Sequence, residues 1–453
     1  MALLLPFLAA CDDDDNGSQS APISVTRIYL EDADATVTDR AVDFARLGQL
    51  IRIEGSGFLG LRQIYVNGYK TYFNNALVTD QNIWVTLDSK TPVADANVDV
   101  RNTIRLVKDQ AECVYEFTIR AASPQITSID NTLPTVGEKV KVYGSSLHET
   151  TKVTLPGGVE ITSGIENDPD GEWYAFTMPD GVTEGGSILS EGANGLAKTP
   201  ACFNESRAYV IDFDNLGVMG SWSATYSADD LVDDPLNSGR GKVALLVPQT
   251  YLNEGGIQPN VGLHKYWATA GTGEPTDDWT RMTSVIPADT PLENVAIQLD
   301  VYIPEIWNGA GQLEISLINN LNSYGWGSGN TLPGNENVDA YAAVWVPWFV
   351  NEGVVPYKAE GWKTVTFPIG SIGDFNDGKA HTFQEVIDVR NNASNANFLF
   401  FLSNANIVLN EGAENEVVIK TTTFNQKIYV DNIRVVPYER FVVSDFPDDE
   451  SVE

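Results

Sequence analysis

The chain has 453 residues, with 62 Asp or Glu against 28 Lys or Arg and a formal net charge of −34. Binding a polyanion takes clustered Lys and Arg, so this balance excludes nucleic acid as a partner and makes a polyanionic glycan a poor one. With 43% hydrophobic residues the chain can build real cores, unlike a disordered sequence, and its length suggests two to four domains.

Leu3 to Ala10 form a short apolar run that stops at Cys11. A bilayer span needs about 20 apolar residues, whereas the apolar core of a secretory signal runs to about 7–15. Leu8-Ala9-Ala10-Cys11 resembles the lipobox of bacterial lipoproteins. That resemblance implies that residues 1–10 are a signal peptide and that Cys11 becomes a diacylated N-terminus, and two acyl chains anchor stably where one is marginal. The run Asp12 to Asp15 follows directly. Polyacidic runs are ordinarily solvated tethers, which fits residues 11–21. Behind a lipobox cysteine the run also resembles the export signal of Bacteroidetes surface lipoproteins, implying an outer-membrane anchor facing the cell exterior. The two remaining cysteines, Cys113 and Cys202, fall in different predicted units and are expected as free thiols rather than a disulfide.

The rest reads as all-β. Runs such as Leu50-Ile51-Arg52-Ile53, Val140-Lys141-Val142-Tyr143 and Ile428-Tyr429-Val430 are short, β-branched or aromatic, and bounded by Gly, Pro, Asn and Asp. Helical periodicity over a useful length is nearly absent. The segment from Gly48 to Phe58 matches that from Gly137 to Leu147, 89 residues further on. In each, a glycine opens an alternating strand, a second glycine seven residues on closes it, and a following apolar residue, Phe58 or Leu147, can fold back onto a core. Each copy begins with a Pro-led strand, at Pro22-Ile23 and Pro124-Gln125-Ile126. The pattern resembles the immunoglobulin-like IPT/TIG domain, giving one unit over 22–122 and a second over 123–207. Such modules act as spacers, and sandwiches in series make a stalk.

Beyond Ala208 the texture changes: eight of the ten tryptophans lie there, among long Gly- and Asn-rich connections. The segment 208–440 opens on Val210-Ile211-Asp212-Phe213 and closes on Tyr429-Val430-Asp431-Asn432-Ile433-Arg434-Val435. This resembles a larger β-sandwich jelly-roll carbohydrate-binding domain, in which the first and last strands pair. The resemblance implies a possible structural Ca²⁺ near Asp212 and Asp431 through hard oxygen ligands, set against a plain reading as turn or cap carboxylates; no other cofactor is implied. Residues 441–453 form an acidic tail, expected to fray.

In this order the parts resemble the surface glycan-binding lipoproteins of Bacteroidetes polysaccharide utilisation loci. The resemblance implies a non-catalytic protein that holds a neutral polysaccharide beside a TonB-dependent transporter and its associated surface lipoproteins. A neutral sugar offers apolar C–H faces, on which aromatic rings stack, and a fringe of hydroxyls. Trp326 sits between glycines in Tyr324-Gly325-Trp326-Gly327, which argues for an exposed loop. In Tyr341 to Phe349, strand alternation sets Tyr341, Ala343 and Trp345 against Ala342, Val344 and Val346. Taking the aliphatic set as core turns the aromatic set outward. Pro347 then ends the strand and re-aims Trp348. Trp326, Trp345, Trp348 and Tyr341 are the platform candidates, with Trp267 and Trp279 behind them, while Trp362 reads as sealing the sandwich end. Flat, equatorially linked chains suit such a row: a β-glucan or a hemicellulose such as xyloglucan, then β-mannan.

Catalysis finds little support. With 62 acidic residues some carboxylate pair will always meet glycosidase spacing. The three histidines, His148, His264 and His381, are too scattered for a zinc site or a triad. The alternatives are a surface glycosidase or lyase whose C-terminal jelly roll is catalytic and, less well supported, an adhesin acting through the Ig-like units.

Overall fold

The computed structural model describes residues 20–33, 37–214, 231–246, 265–269, 278–317, 342–372, 375–392, 397–404, 406–410 and 412–446, with the backbone alone described at 265–269 and at a few other strand positions. Nearly every element is a β-strand, arranged as three sandwiches in series, as expected for an all-β chain. In the first, the strand Leu50–Ser56 lies between Ser24–Leu30 and Asn82–Thr86, and a second sheet built around Gln63–Val66 and Thr103–Val107 faces it. Alternation sets the packing: Ile51 and Ile53 are fully buried while Arg52 between them points away.

The second sandwich repeats this plan, with Lys139–Ser145 between Gln125–Ile129 and Trp173–Thr177. The repeated glycines have a steric cause. A Cβ on Gly55 would lie 1.9 Å from the Ser24 carbonyl oxygen, and one on Gly144 would lie 1.9 Å from that of Gln125. Phe58 and Leu147 fold back beneath these glycines and are buried, as the pattern predicts. Both neighbouring strands also carry a β-bulge at the same place, at Thr26 and at Thr127.

The third sandwich packs a six-stranded sheet on a four-stranded one. The long strand Ile428–Pro437 is central to the first, flanked by Lys242–Leu246 and Val295–Tyr302, with Lys363–Pro368 at the edge. Tyr209–Ile211 pairs with it, so the opening and closing motifs are neighbours as the jelly-roll resemblance implies. The second sheet runs Lys265–Thr269, Asn397–Ser403, Gln312–Ser316 and Ala342–Trp345, again leaving the last strand at an edge. One α-helix, Phe383–Asn392, departs from the expectation of negligible helix. It buries Phe383, Val386, Ile387 and Arg390, an i, i+3, i+4, i+7 stripe too short to stand out in sequence. No described helix is long and apolar enough to cross a membrane.

The middle and C-terminal sandwiches share a buried polar junction. Val295–Tyr302 is covered on both faces, which places Gln298 and Asp300 on the side toward the middle sandwich. Gln298 Nε2 donates to the Cys202 carbonyl at 3.2 Å, and Thr132 Oγ1 donates to Gln298 Oε1 at 3.2 Å. Cys113 and Cys202 are free thiols. Residues 438–446 are packed against the other units: Phe441 lies under Lys198, and Asp445 pairs with Arg46 at 2.5 Å, while 447–453 lie outside the described residues.

Candidate functional site

Trp345 belongs to an edge strand and stands directly opposite Leu313, as Ala343 stands opposite Ile315. Leu313 and Ile315 are core residues, and directly opposed residues in a sheet share a face. The aromatic parity of this strand therefore points inward, the reverse of the expectation. Alternation fixes which residues share a face but not which face is wet. Because the strand is at the edge, the Trp345 ring is only half covered, meeting Trp307 edge-on at 5.7 Å and Tyr357 at 5.5 Å.

Two other candidates are corrected by burial. Trp348 is fully buried, with Nε1 donating to the Gly311 carbonyl at 2.7 Å, because the turn after Pro347 swings its ring into the core. Trp279 is also fully buried, packed on Phe398 and under the Arg390 guanidinium at 4.2 Å, where the 383–392 helix closes over it. A ring with no exposed face offers no platform to a sugar. Trp362 does seal the sandwich end, donating to Asp234 at 3.0 Å beneath Arg240. Trp326, Tyr341 and Cys11 lie outside the described residues, and at Trp267 the backbone is described but not the ring.

Of the two candidate calcium ligands, Asp431 lies on the strand Ile428–Pro437, and Asp212 follows the strand Tyr209–Ile211 that pairs with it. Among the described residues no group of three or more Asp, Glu, His or Cys gathers to hold a metal. The cations near Asp431 belong to the protein. Arg240 is 2.7 Å from Asp300 and 3.5 Å from Asp431, while Arg434 reaches Asp300 with both terminal nitrogens at 3.3 Å. Burial alone raises the Asp300 carboxyl, but Arg434 and Arg240 outweigh it and hold the group below its usual range. Asp431 is left as the second carboxyl of a shared guanidinium. Burial, incompletely offset by Arg240 and reinforced by the Asp300 charge, pushes it up to about 8. The cluster reaches the middle sandwich through Thr132, which accepts from Arg434 at 2.6 Å, and through the Leu133 carbonyl, 3.1 Å from Arg240.

Beside this junction a cavity of about 500 Å³ opens at the flank where the two edge strands of the C-terminal sandwich end. Trp345, Tyr357 and Phe367 form its aromatic wall; Thr364 and Thr366 also line it, but the Thr364 hydroxyl donates to Asp300 and that of Thr366 accepts from Gln298. None of its described lining residues is charged, in a chain where 20% of residues are. Trp307, Trp348 and Trp362 each donate their indole N–H within the protein, whereas the Trp345 N–H has no acceptor among the described residues. Burial raises the Tyr357 hydroxyl to about 12, so it keeps its proton at ordinary pH. Sequence reasoning missed Tyr357 and Phe367. Val355-Pro356-Tyr357 carried only a generic turn signal.

Three β-sandwiches in series, the last with an aromatic cavity at its rim, define a modular all-β protein. Comparison with known proteins gives the family. Residues 203–437, more than half of the chain, match the family described as "Surface glycan-binding protein B xyloglucan binding domain", and the chain belongs to it. It is similar in fold to the crystal structure of the surface glycan-binding protein PbSGBP-B from Prevotella bryantii, with a TM-score of 0.64 at 19% identity, covering 92% of this chain and 99% of that one. An IPT/TIG domain-containing protein of Bacteroides ovatus is 22% identical over 203 residues, 44% of this chain. That match spans 38% of the relative's own length.

Proposed function

We propose that the chain captures a neutral β-linked polysaccharide at the cell surface without cleaving it, xyloglucan first and other β-glucans next. The family match over residues 203–437 carries this reading. The uncharged cavity beside Trp345 supports it, since stacking a pyranose face needs an aromatic ring and hydroxyl partners but no charge. Trp326 and Tyr341, expected as further stacking rings, remain part of the proposal. So do lipidation at Cys11, placement on the outer membrane, and service beside a TonB-dependent transporter and its partner lipoproteins in a polysaccharide utilisation system. Neither His148 nor His381 lines the cavity beside Trp345. His148 is 3.2 Å from the Asn194 amide, and His381 is clasped between Asp377 and Glu385 at the surface.

Affinity electrophoresis on xyloglucan, mixed-linkage β-glucan, β-mannan and an α-glucan control tests the proposal. Retardation on a β-linked polymer is expected, and none on any of them overturns it. Release of reducing ends, abolished by one Asp or Glu substitution, would replace it with the surface glycosidase alternative.

A further inference from the structure

The cavity beside Trp345 has a second wall that does not belong to the C-terminal sandwich. Its far side is formed by Thr127 and Ser128 on the 125–129 strand, with Tyr438 between the two units. Three edge strands converge here. Lys363–Pro368 and Ala342–Trp345 are the edges of the two C-terminal sheets, and Gln125–Ile129 is the edge of a middle-sandwich sheet. Each edge strand carries a row of backbone donors and acceptors on its open side.

The middle sandwich is held in place at this point rather than brushing past it. The Thr364 N–H donates to the Asp130 carbonyl at 2.6 Å, and Lys363 Nζ is 2.8 Å from the Asp130 carboxylate. Just upstream of Asp130, the bulge between Ile126 and Ser128 breaks the ladder, so Thr127 and Ser128 are both exposed at the cavity wall. Bulges commonly re-aim a side chain in this way. A neighbouring cavity of about 320 Å³ shares Thr127 and Tyr438 as walls and continues toward Pro200 and Phe441. The two together form an elongated path rather than a closed pocket.

We propose that the middle sandwich is itself part of the glycan site: a short stretch of a neutral pyranose chain lies in this groove, between the Trp345–Tyr357 wall and the Thr127–Ser128 wall. The inference rests on the glycan-binding reading and extends it, because the middle sandwich then contacts ligand rather than acting as a spacer alone. The lining favours this occupant. Aromatic rings on one side match the C–H faces of a sugar, and hydroxyls on the other match its rim. Arg440, at the second cavity, is the one charged residue among the described lining of both, and the part beside Trp345, which carries none, fits a neutral ligand.

The test uses the full chain and the polysaccharide that retards it most. Ser128→Arg places a long charged side chain in the groove from an exposed position outside the C-terminal core. It is expected to weaken binding about tenfold, a loss of about 1.4 kcal/mol, with the melting temperature unchanged. The paired variant Thr127→Val, Ser128→Ala removes two hydroxyls at nearly constant volume and is expected to weaken binding several-fold; it decides the matter if the arginine variant is unstable. Wild-type retardation by both variants overturns the inference and leaves binding by the C-terminal sandwich standing. A wild-type chain that binds no polymer fails the functional reading first and takes this inference with it.

Discussion

Phe446 stacks on Phe44 with ring centroids 5.4 Å apart and planes 1° from parallel, joining the end of the described chain to its first sandwich. Arg40 lies 4.5 Å from the Phe446 ring, and Asp445 pairs with both Arg46 and Arg120. The segment after Pro437 therefore crosses the middle sandwich and ties all three units together.

Phe446→Ala removes the stack and a cation–π contact, each worth about 0.5–1.5 kcal/mol in favourable cases. It is expected to speed limited proteolysis within 438–446 and, because Tyr438 and Phe441 line the proposed groove, to weaken polysaccharide binding modestly. Mass spectrometry of the early fragments reads this directly; unchanged cleavage would show that the tail is not held by the stack.

Trp345 and Trp348 should separate cleanly although they are three residues apart. Trp348→Ala empties a fully buried site and loses a hydrogen bond to Gly311, an expected cost of about 3–5 kcal/mol. Trp279→Ala is expected to behave alike. Trp345→Ala, from a half-covered site, is expected to cost less stability and to weaken retardation on xyloglucan strongly. Denaturant melts run alongside affinity electrophoresis distinguish the two behaviours.

Gly55→Ala and Gly144→Ala should both destabilise, since each new Cβ falls 1.9 Å from a backbone carbonyl oxygen across the sheet. Backbone cannot swing away as a flexible side chain does, so an overpacking cost of about 1–3 kcal/mol or more is expected. Gly48→Ala meets no atom within 4 Å, but its φ of 88° still imposes strain. It is expected to cost less than either. Equal melting temperatures for all three variants would contradict this ranking.

Asp431 makes stability depend on pH in an unusual direction for a carboxylate. Its folded value, raised to about 8 by burial and by Asp300, lies above the unfolded value of about 3.9. The folded state then binds the extra proton between these limits, so the contribution is fully present below pH ~4 and is lost as pH rises through about 8. Asp431→Asn is expected to flatten the fall in melting temperature across that window. A parallel pH profile in wild type and variant would show that Asp431 is ionised throughout.

The sequence by itself determined the all-β class, the two repeated sandwiches and the pairing of the opening and closing strands. The class and the repeat rest on local features, alternation and turn residues with their glycines, whereas the pairing of the terminal strands came with the jelly-roll resemblance. It also separated Trp362 as structural. Which rings face a ligand was decided only in three dimensions. Trp345 shares a face with Leu313 through a register set by the neighbouring strand, and Trp348 and Trp279 are buried by a turn and a helix that no aromatic pattern reveals. The same holds for Arg240, Asp300, Asp431 and Arg434, drawn from three distant stretches into one buried cluster, and for Thr127 and Ser128, which meet Trp345 from another sandwich. Periodicity reports the parity of a strand, whereas its exposure depends on what the rest of the chain packs against it.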